Sequence, residues 1–234
     1  LSEMMALPKG TVYGLVNTLV HEGFLRQDPE TRKYGLGFKI YELGTIMASN
    51  LDVNRKANEP VHALARLTGL DVRIAVWDNE SVLLTMGAVG SARAFFQWVG
   101  PRMPAYCSAS GRAILANMPP SGVEAYLDQT ELVPYTPSTT TDRERIIQFL
   151  EGALQKGYSC EREELIRGLA ALGAPIFDRN GSLAAAVSLS GPVGKLSKQR
   201  EKELAEELLK TATSISRNMG YYPEDFLMSS SFSD

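Results

Sequence analysis

The chain has 234 residues, 44% of them hydrophobic, with 24 Lys and Arg against 27 Asp and Glu and a formal net charge of −3. This is enough chain for two domains with separate cores. The acidic balance excludes a protein whose whole surface binds nucleic acid, so any DNA contact has to be local. The sequence contains no apolar run long enough to span a bilayer and no visible secretion signal, so no membrane partner is expected. Two cysteines, Cys107 and Cys160, lie far apart and fit a reducing cytoplasm without a disulfide framework.

The first stretch, residues 1–37, reads as a helix, a turn, a second helix and a β-hairpin. Val12, Leu15, Val16 and Leu19 recur at the spacing of one buried helix face. They predict a helix from about Pro8 to Glu22, with Pro8 in its first turn and Gly23 as its stop. Its other face carries Gly10, Tyr13, Gly14 and Asn17, with Lys9 and Thr11 at the N-terminal end. Asn can pair in a bidentate way with adenine, Lys neutralises phosphate, and a helix N-terminus favours an anion. Phe24-Leu25-Arg26, the turn Asp28-Pro29-Glu30-Thr31 and Arg32-Lys33-Tyr34 then alternate like a hairpin that would lay Arg32 and Lys33 along a DNA backbone. Residues 1–39 hold five basic and four acidic side chains. A balance of +1 leaves an ordinary solvated helix and hairpin equally open.

The run from Leu1 to Leu25, followed by Lys33-Tyr34-Gly35-Leu36-Gly37, resembles the N-terminal domain of the IclR family of bacterial transcription regulators. The resemblance implies a winged helix-turn-helix over residues 1–37, its first helix missing upstream of Leu1, which is not an initiator Met. DNA contacts are then expected from Lys9, Thr11, Tyr13, Asn17, Arg32 and Lys33. The family usually has Arg where Gly14 stands, and a mid-helix glycine lowers helix propensity by about 1 kcal/mol.

Beyond the wing, Ile40, Leu43, Ile46 and Met47 predict a linker helix, and residues 38–54 are read as the linker. A second helix follows from Leu51-Asp52 to a stop at Gly69. His62 lies in it as a surface or packing residue. From Asp71 the period changes to two, giving a hairpin of 71–78 with 81–87 and a third strand over 92–99. Helices are expected at 110–117, 122–128 and 142–156, the last opened by the capping-box spacing Thr141 to Glu144. Residues 130–140 read as a loop. Strands at 168–177 and 183–190 are joined through Asn180-Gly181, and a last helix runs over 198–219. Sheet and flanking helices give an α+β domain over 55–220, before a tail, 221–234, expected to be disordered.

Two stretches in this domain could hold a ligand. Tyr106 to Arg112 is a run of small residues opening a helix, where free backbone N–H groups can hold a carboxylate. Ser188 and Ser190 fall on one face of a strand. By themselves these stretches read more readily as an N-capped packing turn and a half-solvated strand. The IclR resemblance continues through the whole region and implies a GAF-like or profilin-like effector-binding domain. Ala109 and Ser110 would then offer N–H groups, Ser188 and Ser190 hydroxyls, and Ala92, Phe95, Met103 and Leu169 an apolar wall. Glu161 stands where the best-known organic-acid sensors of the family carry Asp, and Ala171 where they carry Cys. An inward Phe95 would favour an aromatic or bulky acid over a two- or three-carbon one.

Enzyme chemistry is not expected. Gly-x-Ser-x-Gly does not occur, two histidines offer no convincing base for a nucleophile, and no His/Cys cluster has metal spacing. The acidic run Glu161, Glu163, Glu164 reads as a polar loop with one pocket member. The expectation is therefore a one-component repressor without cofactor or metal. It would bind double-stranded operator DNA as a homodimer, or a dimer of dimers, and answer to a small organic acid. The alternative from the residues is a sensor or carrier domain that works without DNA.

Overall fold

The structure is a computed structural model that describes residues 2–90 and 102–222. Ala92, Phe95 and the expected strand 92–99 lie outside the described residues, as does the tail from 223 onward. The chain forms two compact units, 1–51 and 52–234.

The first unit contains α1 (Ser2–Met5), α2 (Lys9–His21), β1 (Leu25–Gln27), β2 (Tyr34–Leu36) and α3 (Phe38–Asn50). Pro8 stands at the N-cap of α2, one place before its expected position. Of the four apolar residues that predict α2, Val12 and Val16 are buried, whereas Leu15 and Leu19 are 48% and 40% exposed. Gly23, at φ +76°, stops the helix and lets Phe24 N–H donate to Leu19 O at 2.9 Å. The hairpin pairs Leu25 with Leu36 and Gln27 with Tyr34. Arg32 and Lys33 belong to its turn rather than to the strand, because Arg32 adopts φ +57° and its N–H donates to Asp28 O at 2.9 Å. The Asp28 carboxylate holds the same turn by accepting the N–H groups of Glu30 and Thr31 at 3.0 and 2.7 Å.

The second unit is built on a six-stranded antiparallel sheet. In chain order it comprises α4 (Asp52–Thr68), β3 (Asp71–Asp78), β4 (Ser81–Ala88), β5 (Arg102–Met103), α5 (Ala109–Leu115), α6 (Pro120–Gln129), α7 (Arg143–Lys156), β6 (Ser159–Arg162), β7 (Leu169–Phe177), β8 (Leu183–Pro192) and α8 (Glu201–Asn218). The strand order is β5-β4-β3-β8-β7-β6. Long-range β3–β8 pairing puts two sequence-distant hairpins side by side. α4 and α8 pack together against the sheet. Pro60 lies inside α4 and removes the N–H that would bond Lys56 O. Asn218 Nδ2 donates to that carbonyl at 3.2 Å, which ties α8 to α4. On the α5 side a second layer buries Tyr106, Cys107, Ile114, Leu115, Tyr126, Ile146 and Leu150.

Two expectations are corrected. The N-cap of α7 is Asp142, whose carboxylate accepts Arg145 N–H at 3.1 Å, not Thr141. The acidic run is not a simple loop either. Ser159–Arg162 is an edge strand that pairs Glu161 with Ala171. A four-residue strand bounded by charges is too short to show its period.

Gly14 is exposed in mid-helix, and a Cβ there would meet nothing within 4 Å. Gly14→Ala should therefore raise the stability of the first unit by roughly 0.5–1 kcal/mol. Thermal unfolding of the full chain, followed by circular dichroism, measures it.

Candidate functional site

On α2, residues advance by 100° each, so Lys9, Tyr13 and Asn17 stand at i, i+4 and i+8 along one exposed stripe. Thr11 is exposed but lies roughly 160° round the helix from Tyr13. It shares only the first turn with Lys9. Arg32 and Lys33 are exposed at the hairpin turn. The structure thus gathers three of the predicted DNA-contact residues on one stripe and two at the wing tip, and leaves Thr11 apart from the stripe.

In the second unit a cavity of about 60 Å³, partly open to solvent, lies between the sheet and the start of α5. Its lining includes every described member of the predicted set: Met103, Ala109, Ser110, Glu161, Leu169, Ala171, Ser188 and Ser190. The register explains the meeting. On the face turned to α5, one cross-strand row runs Arg73, Ser188, Gly173, Ser159, and the next runs Asp71, Ser190, Ala171, Glu161. A Cβ on Gly173 would come within 2.4 Å of Ala109 O. Only glycine lets the start of α5 sit this close to the sheet. Ser159 Oγ donates to Ala109 O at 2.5 Å and fixes the contact.

The approach to α5 is equally tied. Tyr126 Oη accepts the N–H groups of Ala105 and Tyr106 at 3.1 Å, Ser108 Oγ donates to Pro104 O at 2.7 Å and accepts Gly111 N–H at 3.3 Å. The N–H groups of Ala109 and Ser110 fall in the first turn, where a helix supplies no acceptor. Ser110 is 1% exposed, and its Oγ has no hydrogen-bond partner among the described residues. Such an atom costs roughly 1–3 kcal/mol unless something in the cavity satisfies it.

Glu161 is 6% exposed. Burial is the main reason its carboxyl is pushed up from the ordinary 4.5 to about 7; the nearby Glu164 charge also raises it, while the Glu164 and Leu165 N–H groups and Arg112 pull it down. At neutral pH it can therefore accept a hydrogen bond or donate one. Burial pushes both Cys107 and Cys160 up to about 12, so neither is a ready thiolate; both are free. Sequence reasoning missed Arg73, Leu165, Ile166 and Ala170, and named Ser108 only as part of the run 106–112; all of them line the cavity. Only the alternation of β3 hinted that Arg73 could face it.

A helix-turn-helix with a hairpin wing, carried on the same chain as an α+β domain with a buried polar cavity, defines a DNA-binding regulator with its own sensor domain. The family model for the bacterial transcriptional regulator IclR C-terminal domain matches residues 45–217, and that for the IclR helix-turn-helix domain matches residues 1–29. The chain belongs to the IclR family of transcriptional regulators, and is not an enzyme. It is 32% identical over 225 residues to the HTH-type transcriptional regulator KipR of Bacillus subtilis, covering 94% of this chain and 90% of that one. It is 31% identical over 228 residues to the regulator KdgR of Escherichia coli, covering 97% and 86%. Among solved structures, IclR of Thermotoga maritima aligns with a TM-score of 0.78 at 28% identity, covering 94% of this chain and 89% of that one.

Because the folded state keeps the Glu161 proton after the unfolded chain has lost it, this group's contribution to stability is present below about pH 4.5. It is lost as pH rises to about 7. The loss should amount to at most about 3 kcal/mol. Urea unfolding at pH 5 and pH 8 should show it, and Glu161→Gln should flatten the dependence.

Proposed function

We propose that the protein is a cytoplasmic repressor that binds double-stranded operator DNA as a homodimer through α2 and the wing, and loosens its hold when a small organic acid fills the cavity between α5 and the sheet. The observation that carries the effector half is the buried Ser110 hydroxyl, without a hydrogen-bond partner among the described residues, in a cavity floored by Ser188 and Ser190. Ala109 and Ser110 N–H groups and the two serine hydroxyls suit a carboxylate. Glu161 suits a hydroxyl or oxo group beside it. Met103, Leu169 and Ala171 suit the carbon skeleton. Glu161 and Ala171 replace the Asp and Cys of the best-known acid sensors, so the preferred acid differs in shape from theirs.

Lys9, Tyr13 and Asn17 on one stripe support a recognition helix. Thr11 fits a phosphate contact at the helix start, and Arg32 and Lys33 fit backbone contacts from the wing. The AllR proteins of Salmonella, 30% identical, are named transcriptional repressors, which favours that sign of regulation here. In α3, Phe38, Tyr41, Ile46 and Met47 are all more than half exposed. This apolar surface favours assembly with a second copy. No helix among the described residues is long and apolar enough to cross a membrane.

Selection of genomic DNA fragments by the protein at two salt concentrations, with and without a panel of carboxylic acids, tests the proposal. The expected result is enrichment of a palindromic site with half-sites about one helical turn apart, and its loss with one class of acid. Sequence-blind binding that only salt weakens would overturn it. In the same assay Asn17→Ala should cut the preference for that site by about tenfold. Lys33→Ala should weaken all DNA binding evenly and reduce the salt slope by about 1. An equal loss of preference from both would overturn this division of roles.

A further inference from the structure

The cavity wall holds a charged side chain that the proposed carboxylate contacts do not use. Arg73, on β3, is 8% exposed and lines the cavity with its strand neighbour Ser188 directly opposite it. Asp71 lies two residues away on the same strand face and in the next row. Its carboxylate accepts Gly90 N–H at 2.7 Å, on the β4 side. Among the described lining residues Arg73 is the one cation, and Glu161, on β6, is the one carboxyl.

The two places where the cavity calls for an anion are separated. Ser110 and the start of α5 sit over Gly173 on β7, whereas Arg73 springs from β3, two strands away in the order β3-β8-β7. Two strand spacings are roughly 10 Å at the backbone. A carboxylate taken by the Ala109 and Ser110 N–H groups and the Ser188 and Ser190 hydroxyls has both its oxygens engaged there, which leaves Arg73 to a different group. A molecule with acidic groups at both ends of a short skeleton can supply that group, and a planar guanidinium is matched to a carboxylate by paired charge-assisted hydrogen bonds.

We propose that Arg73 is a specificity-determining residue that reads a second acidic group, so that the cavity takes dicarboxylic acids in preference to monocarboxylic acids of the same length. This rests on the reading of the cavity as an acid-effector site. Burial disfavours the Arg73 charge, and the Asp71 carboxylate on the same strand favours it. An incoming second carboxylate then meets a buried guanidinium whose backbone is paired with β4 and β8.

Isothermal titration of the full chain at pH 7 and constant ionic strength tests this. The probes are butanoate against butanedioate, pentanoate against pentanedioate, hexanoate against hexanedioate, and benzoate against benzene-1,3-dicarboxylate. For at least one pair the diacid should bind tenfold or more tighter. Arg73→Gln should bring that ratio within twofold while changing the monoacid affinity less than threefold, and Arg73→Lys should keep part of the preference. A monoacid that binds the unaltered protein as well as its diacid overturns the role of Arg73 and leaves the acid-effector reading standing. So does a preference that survives in folded Arg73→Gln protein. Failure of every acid to bind overturns both. If Arg73→Gln does not fold, the ratio in the unaltered protein together with Arg73→Lys decides.

Discussion

The second unit depends on one buried ion pair. The Arg112 guanidinium, within a residue only 1% exposed, donates to both Glu164 carboxylate oxygens at 2.7 and 2.6 Å. It also donates to Tyr106 O at 2.7 Å and Cys160 O at 3.2 Å, and lies 4.6 Å from the centre of the Phe149 ring. Five elements of chain therefore meet on one side chain: the turn before α5, α5 itself, α7, β6 and the segment after β6. A buried pair adds little over a well-packed apolar substitute, but loss of one partner costs about 3–5 kcal/mol because the other charge is stranded. Glu164 is fixed further by Thr139 Oγ1, which donates to its carbonyl at 2.5 Å, and by Thr140 N–H on its carboxylate at 3.3 Å.

That clamp reaches the cavity through a single hydrogen bond. Glu161 Oε2 accepts the backbone N–H of Glu164 at 3.1 Å. The carboxyl facing the cavity and the carboxylate gripping Arg112 are thus parts of one hydrogen-bonded network, and networks of this kind respond as units. An effector that changes the proton or the partner of Glu161 acts on the group that holds α5 in place. Regulation needs the ligand to favour one arrangement of the sensor over another, and a polar network beside the cavity supplies a means for that bias. The first unit is built differently. Val12 and Val16 are its buried hydrophobic residues among those described, and much of the apolar surface of α2 and α3 is open. Such a unit has little core of its own and is suited to gain stability from association.

Most of the elements were legible in the sequence. α2, α4 and α8 follow from apolar spacing, α7 from a capping-box spacing, and the hairpins β3–β4 and β7–β8 from alternation and turn residues. The eight described cavity residues named from the family pattern meet around one space. Less legible were the edge strand β6, whose four residues include Glu161 and Arg162 and run directly into Glu163 and Glu164, and the N-cap of α7, where Thr141 and Asp142 both have capping side chains and only the helix path chooses between them. Arg32 and Lys33 read as strand because they continue an alternating run. A positive φ at Arg32 keeps them in the turn.

The sequence by itself determined the local elements and the regulator family, because helix and strand periods and a long ordered motif are properties of neighbours along the chain. It also determined that hydroxyls at 188 and 190 share a strand face. The tertiary structure decided what those hydroxyls face. Pairing of β3 with β8 brings Arg73 opposite Ser188, and pairing of β6 with β7 brings Glu161 opposite Ala171. Strand order joins residues remote in sequence, and its cost and reward are paid in the packing of the whole sheet. No window of neighbouring residues contains that information, which is why the buried arginine of the cavity emerged only from the fold.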